Sequence, residues 1–437
     1  MAAQTLQARR PRTGTISRIE TDPSHHLTGP FLPQTPLDAL DSPFDVPAPR
    51  IPSPPRAKPL FASKNGTPTS EGLLRDLRTW RWVVVPSSSL KLLLIPVVLH
   101  LQWILITPLV LPDAPPSPFA PMLFISHPTP SPTGDDVNDP RYRKGYLDLV
   151  FLAYHIILWS FVRQLITIRL CRPVAQYFGL KKETKLERFG EQGYAMIYFA
   201  FFGLWGMRIM AQLPTWWYQP QYFWIDYPHW QMKPELKRYY LMQAAYWCQQ
   251  LIVLLFKLEK PRKDYNELVA HHLVTLWLVG WSYLINLTLI GNAVYTSMDI
   301  PDTWLALTKL LNYLRMQRTQ MVIFAIFLTI WTYFRHYLNL VMLYSVYKDF
   351  DLIPETARFW TPSEGVWMLW WMRWQIFMPI LLLQCLNLFW YFLILRIAYR
   401  AATQNDLADE RSDDEDSDSE DAKAKPKSKA GKAVKTD

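Results

Sequence analysis

Residues 258–277 read LEKPRKDYNELVAHHLVTLW. A cationic run, Lys260-Pro261-Arg262-Lys263, gives way within a few residues to an apolar stretch that continues to Ile285. From Glu267 onward that stretch approaches the ~20 residues needed to cross a bilayer as a helix. Two adjacent histidines, His271 and His272, stand four and five residues inside it, about 6–8 Å deep at 1.5 Å per residue. Imidazole gains nothing from hydrocarbon, and an ionisable group at the centre of a membrane helix costs at least ~2.5–3.5 kcal/mol. The pair is therefore a candidate for function.

Working outward, seven more apolar stretches have a similar length. They lie near 90–111, 146–168, 193–213, 239–256, 291–314, 321–343 and 374–397. The expected fold is an all-α polytopic membrane protein with about eight transmembrane helices. The stretch at 291–314 is the least apolar of them. Half of the 437 residues are hydrophobic, with 20 Trp, 22 Tyr and 22 Phe, an aromatic load suited to membrane interfaces. The mean hydropathy of −0.03 hides this, because long polar ends dilute the apolar spans.

Lys and Arg set the orientation. Arg75, Arg78 and Arg81 precede the first span. With eight spans the same side carries Lys181, Lys182, Lys185 and Arg188, the 257–263 run, Arg315 and Arg318, and Arg400. Both termini are therefore expected in the cytosol. The net charge of +9 follows one membrane face, and no nucleic-acid partner is expected. Residues 1–75 are Pro- and Ser-rich and cannot bury a core. No cleavable signal peptide is expected, because the first residues lack an apolar run. A sequon, Asn286-Leu287-Thr288, lies against the membrane on the lumenal side, where its use is not expected.

Residues 403–437 form an acidic and then basic tail that reads as solvated and disordered. Ser412 and Ser417 each have Glu three residues downstream, and Ser419 lies in the same acidic cluster. An acidophilic kinase is the expected partner there, and phosphates would deepen the negative block. The three cysteines are far apart and make neither a metal spacing nor a disulfide framework.

The chemistry-bearing set is His271 and His272 with Asp299 and Asp302 of MDIPDTW. Adjacent helical residues diverge by about 100°, so the two histidines cannot aim at one atom. Glu267, one turn before His271, is in reach to accept a hydrogen bond from it. The two acids, three apart, share a helix face, and two carboxylates so close need a cation, a shared proton or water. Single histidines at 100, 155 and 336 read as structural hydrogen-bond partners. A di-iron site would require several His-rich boxes, and nine histidines with one membrane cluster do not supply them. No metal is expected. A histidine can deprotonate an amine or attack an acyl carbonyl, and a carboxylate can hold a cationic amine. The basic loops offer sites for a phosphate-bearing carrier.

Three segments carry a family resemblance: FGEQGYAMIYF at 189–199, AAYWCQQLIVLLFKLEKPRKDYNELVAHHLVTLWL at 244–278, and YTSMDIPDTWLALTKLLNYL at 295–314. Over about residues 180–400 the chain resembles the ceramide synthases of the longevity-assurance family, within the TRAM-LAG1-CLN8 (TLC) superfamily, and is closest to fungal members. The animal-type homeobox-like insert is missing, since residues 112–145 form only a Pro-rich loop. The resemblance implies N-acylation of a sphingoid base, dihydrosphingosine or phytosphingosine, by a long or very long fatty acyl-CoA. It implies no cofactor beyond the acyl-CoA substrate, and location in the endoplasmic reticulum membrane. The family's paired histidines match His271 and His272, and its paired acids match Asp299 and Asp302.

The implied fold is a ring of six helices, spans three to eight, around a buried cavity, with the first two spans outside it. The chain then divides into a cytosolic end (1–75), two helices with a Pro-rich lumenal loop (76–180), a TLC catalytic domain (181–402) and the tail (403–437). Acyl-CoA phosphates are expected near Lys260, Arg262, Lys263, Arg315 or Arg318, at the cytosolic mouth. A small single-span regulatory subunit or a synthase dimer is a further expected partner. Two other readings stay open on sequence: a non-catalytic lipid sensor or translocation factor, and an acyltransferase for another lipid amine.

Overall fold

A computed structural model describes residues 70–404, apart from 133, 136, 259–263 and 363–364. The candidate phosphorylation sites Ser412, Ser417 and Ser419 lie outside the described residues. Those residues are overwhelmingly helical; the one sheet is a two-residue antiparallel pair, Pro128–Thr129 with Arg141–Tyr142. Every stretch read as a span is a helix. We label them α1 (Pro86–Val110), α2 (Leu147–Ile166), α3 (Glu183–Ala211), α4 (Pro234–Leu255), α5 (Tyr265–Leu284) and α6 (Thr288–Tyr313). Then come α7 (Gln317–Trp331), a π-helical turn at Thr332–Leu338, α8 (Asn339–Lys348) and α9 (Met372–Gln404). The π-turn joins α7 and α8 into one long rod, Gln317–Leu352.

Among the described residues five helices are long and apolar enough to cross a membrane: α1, α2 with its extension to Tyr177, α3, the α7–α8 rod and α9. The other three, α4, α5 and α6, fall short of that apolarity, and the reason is positional. Their polar groups point into the protein: Lys237, Gln243 and Gln249 of α4, His271 and His272 of α5, and Asn292, Thr296 and Asp299 of α6 are all buried. α1 shows the opposite pattern, with Leu101, Leu105 and Leu109 exposed along its length, as suits a helix whose solvent is lipid.

Close packing of α3 on α6 brings the polar interior together. A Cβ at Gly203 would lie 3.2 Å from Ile300, and one at Gly206 only 2.5 Å from Thr296 Oγ1. Small residues of this kind let helix backbones approach in an apolar medium. The helices turn sharply at their ends. Lys257, Asn286 and Arg315 adopt left-handed φ values of 50°, 62° and 57°. At each of these turns the next N–H reaches back five residues: Leu258 to Val253, Leu287 to Ser282, and Met316 to Leu311, at 3.1, 2.8 and 3.0 Å. This is the Schellman closure of a helix C-terminus. Asn286 is buried and donates through Nδ2 to the Gly365 carbonyl at 3.0 Å, which takes the sequon's acceptor nitrogen out of reach.

Far from the histidines, a buried ion pair ties the 126–145 loop to the bundle. Lys237 Nζ lies 2.7 Å from Asp148 Oδ1 and donates to the carbonyls of Ser126 and Arg143 at 2.7 and 2.5 Å. Asp148 Oδ2 accepts from the Tyr283 hydroxyl at 2.7 Å and the Gly145 amide at 2.8 Å.

Candidate active site

The first two turns of α5 place His271 and His272 against two tryptophans. Trp247 of α4 meets both imidazoles edge-on, with ring centroids 5.7 and 5.5 Å away. Trp390 of α9 does the same to His271 at 5.3 Å, and its indole N–H donates to Asp264 Oδ2 at 3.2 Å. The two histidine rings are 5.8 Å apart and nearly perpendicular, as their adjacency on a helix demands.

Their hydrogen bonding differs. His272 Nδ1 lies 2.8 Å from the Leu268 carbonyl. A carbonyl can only accept, so Nδ1 carries the proton and Nε2 is the basic nitrogen of the neutral ring. His271 Nδ1 is buried and has no hydrogen-bond partner. No hydrogen bond joins His271 to Glu267, the acceptor that the spacing had put in reach.

The two acids of α6 serve different neighbours. Asp299 is fully buried; its Oδ2 accepts from Gln243 Nε2 at 2.5 Å, while its Oδ1 is unpartnered. Gln243 is itself held by the Tyr198 hydroxyl, which donates to Oε1 at 2.6 Å. Asp302 instead pairs with Arg335, whose Nη2 lies 2.7 Å from Oδ1. The neighbouring helices thus separate two carboxylates that share a helix face.

Sequence reading passed over Arg335. It sits on the π-turn, 2% exposed, and also donates to Asn387 Oδ1 and the Met298 carbonyl, both at 3.0 Å. Its guanidinium lies 4.5 Å over the Trp331 ring. The extra residue that a π-turn inserts is often found at functional sites. A signal existed: a permanent charge inside the apolar run 321–343 is as costly as the histidines are.

Two cavities meet at these residues. One, with a cavity volume of about 60 Å³, is narrow and apolar, lined by Leu278, Val279, Ile290, Val294 and Leu383 among others. It follows α5 from His271 to Ile285, about 21 Å at 1.5 Å per residue. The other, of about 230 Å³, is wider and more polar, with Arg163, Glu191, Gln192, Gln250, His272 and Lys309 on its wall. Four residues border both: Trp247, His271, Asp302 and Arg335. Asp299 borders neither and sits behind the wall. Arg163 comes from α2, so a helix expected outside the ring contributes to the site.

Arg315 and Arg318 are exposed at the α6–α7 turn and line neither cavity; Lys309, further back on α6, lines the polar one. Lys260, Arg262 and Lys263 lie outside the described residues. Among the described residues no three His, Cys, Asp or Glu side chains converge on a common metal position. The other intramembrane histidines are committed locally: His100 Nδ1 to Ser117 Oγ at 2.9 Å, His155 Nδ1 to the Phe151 carbonyl at 2.8 Å, and His336 Nδ1 to Gln384 Nε2 at 2.8 Å. Those bonds suit the structural role expected of them.

Residues 188–396 match the TLC domain family. The chain is 41% identical to sphingosine N-acyltransferase lac1 of Schizosaccharomyces pombe, over 67% of this chain and 74% of that protein. It is 39% identical to ceramide synthase LAG1 of Saccharomyces cerevisiae, over 63% of this chain and 66% of that one. A mammalian relative, ceramide synthase 4 of Bos taurus, is 30% identical over 52% of this chain and 55% of its own length.

Proposed function

Because the chain belongs to the TLC-domain family that includes the sphingosine N-acyltransferases, we propose that it is a ceramide synthase, transferring a fatty acyl group from acyl-CoA to the amine of a sphingoid base. The observation that carries this reading is the position of His271, where an apolar cavity long enough for an acyl chain meets a polar one. A thioester is a water-soluble carrier joined to a hydrocarbon tail. A site for it needs those two compartments with a reactive group at their junction.

We assign His271, whose Nδ1 is uncommitted, as the nucleophile. Its unprotonated imidazole nitrogen adds to the thioester carbonyl and the carbon–sulfur bond breaks; the thiolate takes the proton from the other ring nitrogen and departs as CoA thiol, leaving an acyl-imidazole. A sphingoid amine is mostly protonated at pH 7 if its pKa is near the lysine-like ~10. Asp302 attracts the ammonium, which loses one proton to water; His272 Nε2 accepts the second as the free amine attacks the acyl carbon. Collapse breaks the bond to the His271 imidazole, which takes that proton from His272 as it leaves the amide. Asp299, held by Gln243, supports this wall from behind.

In the membrane we read α1 to α6, the α7–α8 rod and α9 as eight crossings of the endoplasmic reticulum bilayer, with both termini cytosolic. The polar cavity then opens toward the side that carries the 257–263 basic run, where acyl-CoA arrives. The covalent route has a direct test. Purified protein quenched after mixing with acyl-CoA alone should release CoA and gain one acyl mass on the peptide that contains His271 and His272. Absence of the adduct in an active preparation would move the mechanism to direct attack with a histidine base. Full activity in both His271→Ala and His272→Ala would sink the site assignment altogether.

A further inference from the structure

Acyl transfer from a thioester passes through a tetrahedral intermediate whose oxygen carries a negative charge, whichever nitrogen attacks. In an apolar bundle that charge is stabilised by fixed donors aimed where it develops, and this is commonly the largest single contribution to catalysis. His271 and His272 are occupied with bond formation and proton transfer, and the carboxylates of Asp299 and Asp302 repel an oxyanion. The donors must come from elsewhere.

The four residues that border both cavities narrow the choice. Beside His271 and Asp302, they are Arg335 and Trp247. Each has a buried N–H with no hydrogen-bond partner, Nε of Arg335 and Nε1 of Trp247. A buried unpartnered donor is uncommon in a native protein, because it forfeits ~1–3 kcal/mol of solvation without return. Other buried N–H groups among the described residues also lack a hydrogen-bond partner, Trp281 Nε1 and Trp331 Nε1 among them, but each of those two residues borders one cavity only, whereas Arg335 and Trp247 border both. The rest of the guanidinium is immobilised by Asp302, Asn387 and the Met298 carbonyl, and its central carbon lies 4.5 Å from the centroid of the Trp331 ring. Trp247 is fixed by edge contacts to both histidines. Donors held in this way need no reorganisation as charge develops.

The geometry points to Arg335 and Trp247 as the oxyanion site of the acyl transfer, binding the former carbonyl oxygen of the acyl thioester. As nitrogen adds to the acyl carbon, the carbonyl π pair moves onto oxygen and is met by the two N–H groups. As the thiolate leaves, the pair returns to the carbon–oxygen bond and the N–H groups are released. No proton is transferred at either donor. The Asp302–Arg335 pair then acts as a clamp that orients the guanidinium while lowering its net charge. The inference rests on the acyl-transfer reading above.

The test uses Trp247→Phe, which keeps the ring and removes the N–H, and Arg335→Lys, which keeps the charge and loses the planar fork. Loss of one such donor typically lowers kcat by ~10²–10³. We expect a fall of that size in Arg335→Lys, a smaller fall of at least about tenfold in Trp247→Phe, and little change in the acyl-CoA KM in either. The second measurement is binding of a fluorinated ketone analogue of the acyl-CoA, whose adduct carries a tetrahedral oxyanion. Its affinity should drop in parallel with kcat, as for any transition-state mimic, while a merely structural role would not link the two. If Arg335→Lys does not fold, Trp247→Phe decides alone. Trp247→Phe within threefold of wild-type kcat, or a kcat loss without a matching loss of analogue affinity, overturns the assignment. A wild-type protein that transfers no acyl group to any sphingoid base would overturn the acyl-transfer reading itself, which is a separate outcome.

Discussion

Two buried polar clusters sit toward opposite ends of α5, and they are built on opposite rules. Between His272 and Tyr283 the helix rises about 16 Å. At the Tyr283 end, Lys237 spends its three protons on three acceptors, Asp148, Ser126 O and Arg143 O. The remaining oxygen of Asp148 takes two donors. Every charged atom of that network faces a partner, Asp148 Oδ1 through the 2.7 Å ion pair alone. At the histidine end, His271 Nδ1, Asp299 Oδ1, Trp247 Nε1 and Arg335 Nε are all buried without partners. Such a network is costly when empty and useful when filled. Unpartnered buried atoms occur elsewhere in the described residues too; what marks this end is that three of these four belong to residues bordering both cavities.

The two ends should respond oppositely to substitution. His271→Ala should reduce N-acyl transfer by 10³-fold or more, at least ~4 kcal/mol of transition-state stabilisation. The melting temperature in detergent should fall less than in Lys237→Met, since the ring's edge contacts are lost but no charged partner is stranded. A variant that melts much lower and keeps its activity per folded molecule would reverse the roles of the two ends. Lys237→Met should do the converse. Stranding Asp148 without its partner is expected to cost ~3–5 kcal/mol of stability, and the Asp148→Leu/Lys237→Met double variant should recover most of it. Activity per folded molecule should be unchanged throughout. Tyr283→Phe removes one bond to a charged acceptor and should cost a smaller ~1.5–3 kcal/mol, again without touching kcat.

Much of this was legible before any coordinates. The eight apolar stretches are helices, five of them long and apolar enough to cross a bilayer, and the histidines stood out because ionisable groups in such stretches are expensive. The weaker apolarity of α6 was legible too, and its buried Asn292, Thr296 and Asp299 account for it. What stayed hidden depends on neighbours distant in sequence. A helix-face argument groups Asp299 with Asp302, yet Gln243 from α4 and Arg335 from the α7–α8 rod pull them into different roles. Gln243 and Asn387 are neutral, so they carry no charge penalty to flag them. The π-turn that presents Arg335 leaves no periodic trace in TYFRHYL. Arg163 comes from a helix that the family resemblance set aside, and only the packed structure brings it to the wall.

The smallest predicted effect concerns the basic residues of the 257–263 run and the α6–α7 turn, proposed above to face the cytosol, where two explanations compete. Lysines and arginines collect there on any membrane protein by the positive-inside bias alone, and the same charges suit the phosphates of CoA. The structure bears on the described candidates, Arg315 and Arg318, and the sequence on the others. Arg318 is exposed at the start of α7 and lines neither cavity, whereas the 259–263 run directly precedes the helix that carries the histidines. Charge reversal at Lys263 should therefore raise the acyl-CoA KM by ~3–10-fold at low ionic strength. The effect should shrink as salt shortens the Debye length from ~10 Å at 0.1 M toward ~3 Å at 1 M. Reversal at Arg318 should change the KM by less than about twofold at any salt, in the range of an isolated exposed charge. Equal responses at the two positions would leave Lys263 to membrane topology, and the anionic end of the carrier would then be held by Arg163 and Lys309 on the cavity wall.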